Sequence, residues 1–180
     1  MSTAEHDVLQ QRARELAQPV EGIVLESGTH LVFPAGEERF AIGVSHAVGV
    51  VPVGSGLARL PGAPPFLAGV LGVRGRLVTV TDLLPLLGRP AQGVTGASHV
   101  IVVEAEGPEV LVPRTALLCS ARPEEATIRT EELGPPPETV PEAVRRLVAG
   151  VTPELVTVLD VERLLADPLL LAVSGGPRAG

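Results

Sequence analysis

The sequence predicts an all-β protein of small closed barrels, with short helices and one helix ahead of them. Three observations carry this. Short runs rich in β-branched and aromatic residues alternate with Gly/Pro turns through most of the chain, the pattern of a small barrel. One succession of runs and turns occurs twice, so two such units are expected. With 45% hydrophobic residues in 180, there is enough apolar material for a real core.

The elements follow in order. Val8, Leu9, Ala13, Leu16 and Ala17 lie at helical spacing and stop at Pro19, which predicts a helical extension over residues 1–22. From residue 28 the period becomes that of strands. "THLVF" and "RFAIGV" flank the turn "PAGEE" and form a hairpin. "HAVGVVPV" is a third strand, and "GLARLPGAPP" is a proline-rich connection. "FLAGVLGV" and "RLVTVT" are two more strands, joined at Arg74-Gly75. Asp82 then caps a short helix, "LLPLLG", that Gly88 stops.

The pattern then restarts. Leu77-Val78-Thr79-Val80-Thr81-Asp82-Leu83 recurs as Leu155-Val156-Thr157-Val158-Leu159-Asp160-Val161, at an offset of 78. "HLVF" from His30 is echoed by "HVIV" from His99, and Ala68-Gly69-Val70 by Ala149-Gly150-Val151. The offsets drift as loops change length while strands do not. The two barrel halves are therefore expected at 28–90 and 97–167, with a disordered Gly/Pro-rich tail at 174–180.

Several function classes are excluded. The formal charge of -7 and the scarcity of aromatics disfavour nucleic acid. All fourteen basic residues are arginine, so there is no lysine for a Walker A loop, a pyridoxal Schiff base or a kinase ion pair. His6, His30, His46 and His99 lack metal-ligand spacing, and no metal or cofactor is expected. Ser45-His46 reads as a pair of strand residues on opposite faces. Cys119 is the single cysteine, which fits a reducing, cytoplasmic setting, and no apolar run suits membrane insertion. Asp82 and Asp160 could in principle serve an enzyme as paired carboxylates, but capping accounts for both.

"FLAGVLGVRGRLVTVTDLLPLLG" resembles the signature of the CheW family of chemotaxis coupling adaptors, in which a Gly-hydrophobic segment runs into Asn-Leu-Arg-Gly, a strand and Asp-Leu. "SHVIVVE" and "LVAGVTPELVTVLDVERLL" extend the resemblance over roughly residues 28–167. It implies two SH3-like five-stranded barrels. It also implies a non-catalytic cytoplasmic adaptor in receptor-kinase clusters, joining the cytoplasmic tips of chemoreceptors to the regulatory domain of a CheA-type histidine kinase. By the same resemblance, Arg74 matches the family's receptor-coupling arginine. Ala47 and Val50 match its groove positions, with Ala116 and Cys119 as their expected counterparts one repeat later. Leu57 and Gly69 match the neighbourhood of kinase contact. Three departures stand out: Gly72 replaces the asparagine, Gly49 an acidic residue of the third strand, and Pro113-Arg114-Thr115-Ala116 the Val-Asp-x-Val of the second barrel. They imply a divergent adaptor, and one version of it binds receptor but not kinase.

Overall fold

The computed structural model describes residues 28–174. The helix expected over 1–22 and the tail beyond Ser174 lie outside the described residues. The chain forms strands β1 (Gly28–Ala35), β2 (Glu38–Gly43), β3 (Ala47–Pro52), β4 (Leu67–Val73) and β5 (Arg76–Thr81), then helix α1 (Leu83–Leu86). Strands β6 (His99–Glu104), β7 (Arg114–Cys119) and β8 (Glu124–Ile128) follow, then helix α2 (Glu142–Arg145). Strands β9 (Val148–Val151) and β10 (Val156–Leu159) precede helices α3 (Val161–Leu165) and α4 (Pro168–Ser174). All five strands read in the first half are present. Ser45 and His46 differ from expectation: they lie in a 3-10 turn, Val44–His46, ahead of β3.

The two halves of the sequence are not the two sheets. One sheet runs β8-β1-β2-β10-β9 and the other β3-β6-β7-β5-β4. Each takes the opening hairpin of one half and the last three strands of the other, so 28–90 and 97–167 each contribute to both barrels. The reason lies in the pairing: β2 lies parallel to β10 and β7 parallel to β5, across the repeat boundary. Register also corrects the repeat alignment. Ala41 pairs with Val158 and Ala116 with Val80, and Val80 matches Val158 at the offset of 78. Val32, opposite Ala41, therefore matches Val102, opposite Ala116. This is one residue away from the "HLVF"/"HVIV" echo, and a one-residue slip exchanges the two faces of a strand.

Three apolar clusters follow from this arrangement. Val32, Ala41, Val156 and Val158 fill one barrel, and Val78, Val80, Val100, Val102 and Ala116 the other. Between the sheets, Leu31, Phe33 and Ile42 meet Ile101, Val103 and Leu117, with Leu83, Leu84, Leu164 and Leu165 from α1 and α3. Each barrel is closed by an isolated bridge from the chain that follows its edge strand: Ala58 to Val70, and Gly134 to Val151. The repeated Ala-Gly-Val is the site of that closure. A Cβ on Gly69 would stand 2.4 Å from the Ala58 carbonyl oxygen, and one on Gly150 would stand 2.7 Å from the Leu133 Cβ. Only glycine lets the closing segment come so near.

Asp82 and Asp160 are the helix caps the sequence predicts. The Leu84 N–H donates to Asp82 Oδ1 at 3.1 Å, and the Arg163 N–H donates to Asp160 Oδ1 at 3.1 Å. Asp82 does more, because it is buried. It also accepts from the Gln92 N–H at 2.8 Å and from Gln92 Nε2 at 3.1 Å. Gln92 in turn accepts from Ser120 Oγ at 2.8 Å, and that hydroxyl accepts the Gly36 N–H at 2.8 Å. One polar chain thus ties the first cap to turns of both sheets.

Candidate functional site

Strand β3 borders a sheet and pairs only with β6 along its length. It presents Val48 at 42% and Val50 at 38% exposure, high for valine on a strand. Two clefts flank it. One, of about 560 Å³, lies where the two sheets meet and is lined by Leu31, Val50, Pro52, His99, Arg122 and Glu125. The other, of about 300 Å³, is lined by Val48, Gly49 and Val51 together with Arg74, Arg76 and Arg114. A single strand therefore offers apolar side chains between a mixed groove and a cationic one.

Arg74 sits in the β4–β5 turn with φ 49, followed by Gly75 at φ 76, both in the left-handed region. That turn suits the twist of a two-residue hairpin. It carries the guanidinium back over β3, where Nη2 lies 4.0 Å from the place a Cβ on Gly49 would occupy. An acidic side chain at position 49 would reach it. Arg114 is not a bare cation, because Glu104 on the neighbouring strand forms an ion pair with it. Its charge is compensated within the chain.

The structure divides the expected site residues. Ala47, Val50 and Arg74 gather around β3, Ala47 being half-buried. Leu57 and Gly69 are also brought together, with Leu57 Cδ1 3.0 Å from the place of a Gly69 Cβ. Ala116 and Cys119 are corrected. Both are fully buried, Ala116 inside a barrel and Cys119 between the sheets, so neither meets a partner at the surface. Nor are they the counterparts of β3. Val50 lies opposite Ile101, and Glu125 lies opposite Leu31, the equivalent of Ile101, so the repeat match of Val50 is Glu125 on β8. The apolar edge belongs to one repeat only. Sequence reasoning missed Val48, Arg76 and Glu125; the alternation along β3 and β8 was the signal for Val48 and Glu125, and the place of Arg76 at the start of β5, beside the Arg74-Gly75 turn, was the signal for Arg76.

Burial pushes the Cys119 thiol far up, outweighing a backbone hydrogen bond that lowers it. The native protein is expected to resist a thiol reagent at about pH 8, while the unfolded chain reacts at once. Rapid labelling of the native form would show that the space between the sheets opens.

Nothing in these clefts assembles a reaction. Asp82 lines a cleft with Arg59 and Ala91, and Asp160 lines a different one with Glu106 and Glu109, so the two carboxylates do not converge. No group of side chains suited to a metal ion occurs among the described residues. No helix among them is long and apolar enough to cross a membrane.

Comparison with known proteins agrees with this geometry. The pattern of the CheW-like domain matches residues 29–169. A probable chemotaxis protein CheW of Rhizobium etli is 24% identical over 140 residues, covering 76% of this chain and 86% of that protein. The crystal structure of the scaffolding protein TtCheW from Thermoanaerobacter tengcongensis superposes with a TM-score of 0.63 at 22% identity, over 82% of this chain and 93% of that one. The two five-stranded sheets described above are its fold, a pair of SH3-like barrels. The chain belongs to the CheW-like family, the non-catalytic adaptor and scaffold proteins of chemotaxis.

Proposed function

We propose that this protein is a cytoplasmic coupling adaptor that joins the cytoplasmic tips of chemoreceptors to a CheA-type histidine kinase within receptor-kinase clusters. What supports the reading most is the exposed apolar edge of β3, with Val50 set beside a groove between the two sheets and Val48 beside the cationic cleft. An amphipathic helix docks by laying apolar anchors into such a groove, and the flanking charges orient it. The receptor contact centres on Ala47, Val50 and Arg74. The kinase contact centres on Leu57 and Gly69, at the closing bridge of the same barrel.

Binding of a purified receptor signalling fragment tests the first contact. Val50→Glu is expected to weaken it about tenfold or more, because a charge would be desolvated in the groove, while thermal stability stays near that of the wild type. Reconstitution of receptor, this protein and a CheA-type kinase tests the second. Receptor-dependent autophosphorylation is the expected result. Binding of receptor without kinase activation would support the reduced-partner version, and binding of neither would reject the adaptor reading.

A further inference from the structure

We propose that the cationic cleft beside β3 binds an acidic partner helix, and that this chain takes from its partner the anion its own third strand lacks. The inference rests on the receptor-coupling reading and names the chemistry of that contact. The chain as a whole is acidic, with a formal charge of -7, yet three of its arginines line one cleft and no acidic side chain lines it. Glu104 compensates Arg114 alone. The guanidinium groups of Arg74 and Arg76 have no hydrogen bond or ion pair among the described residues.

A guanidinium keeps its charge at any working pH, and two held at one cleft focus a positive field into it. The turn brings Arg74 into a left-handed conformation unusual for a residue with a Cβ, and so aims it over Gly49. The space above Gly49 is where a partner's carboxylate reaches that guanidinium, with Arg76 beside it. Val48 and Val51 on the same wall accept an apolar side chain. A helix with a carboxylate one turn from an apolar residue matches both demands, since residues three or four apart share one helix face.

The whole chain is tested with four variants, R74Q, R76Q, the two combined and G49D, against a purified receptor signalling fragment. R74Q and R76Q, at exposed positions, are each expected to weaken binding about tenfold, the effect of losing a charge-assisted hydrogen bond. Raising salt from about 50 to about 300 mM should weaken the wild type and affect the doubly substituted protein far less. G49D separates this inference from a purely organising role for Arg74. A carboxylate supplied by the chain itself competes with the partner's, so binding falls about tenfold. Tighter binding by G49D would mean that Arg74 needs only an internal organiser, and it overturns the inference.

A second measurement does not depend on the receptor. The arginine Nε–H resonances are followed by NMR while adding an amphipathic peptide with glutamates four residues apart, its glutamine twin, or inorganic phosphate. Shifts at Arg74 and Arg76 with the glutamate peptide alone support the cleft even if the receptor fragment does not bind. In that case receptor coupling fails and the cleft stands. An equal response to phosphate marks a general anion site, and silence toward both fragment and peptide leaves no acidic partner; either result overturns the proposal.

Discussion

Gly69→Ala is expected to lower the unfolding free energy by about 3 kcal/mol or more, combining overpacking with a strained backbone. The added Cβ would stand 2.4 Å from a backbone carbonyl oxygen, which cannot rotate away, and φ at this residue is 154. Relief requires moving the Ala58 segment and breaking the bridge that closes the barrel, whose two hydrogen bonds are 2.9 and 2.8 Å. Gly72→Ala, three residues on, provides the control. A Cβ there meets nothing within 4 Å, so stability should change by less than about 0.5 kcal/mol. Urea denaturation of the two variants checks the contrast. Similar midpoints would show that the closing segment is held loosely.

The second large effect is expected at Asp82. Asp82→Ala leaves the Leu84 N–H, the Gln92 N–H and Gln92 Nε2 without their acceptor at a position only 1% exposed. Several stranded donors in a buried site cost about 3–5 kcal/mol in all. Asp160→Ala removes the equivalent cap, but that side chain is 31% exposed and water replaces it, so about 1 kcal/mol is expected. The same residue in the same role thus has two different weights. Thermal denaturation of both variants measures them, and a Gln92→Leu variant close to Asp82→Ala in stability would locate the cost in the shared network. Equal losses at Asp82 and Asp160 would contradict it.

How much was legible in the chain follows from what periodicity encodes. Alternation assigned β1 to β5, and the caps at Asp82 and Asp160 were readable because a carboxylate before a short apolar run has one dominant local use. Partners were not readable. Alternation says which face of β2 is apolar, but nothing in "RFAIGV" says that it lies beside Val156–Leu159 rather than a strand of its own half. The same limit misplaced Ala116 and Cys119. They sit at one fixed offset from Ala47 and Val50, whereas the pairing of β8 with β1 puts Glu125 at the position equivalent to Val50. Arg74 was recognisable from its glycine neighbour and hairpin context. Its alignment over Gly49 required the turn to be built.

The exchange of strands between the sheets bears on what a shorter chain could do. A polypeptide ending in the loop after α1 would own β1 and β2 without β8, β9 and β10, and β3 to β5 without β6 and β7. Each hairpin would present unpaired edges that attract a foreign strand. Cutting the chain between its repeats should therefore give two fragments that are insoluble or unfolded apart and recover structure when mixed. Two copies of a single repeat could satisfy every pairing by lending hairpins to each other, a reciprocal swap about a two-fold axis. Duplication within one chain turns that association into an intramolecular one and removes its dependence on concentration. It also frees the halves to diverge, so that one edge strand carries valine at the groove where the other carries glutamate.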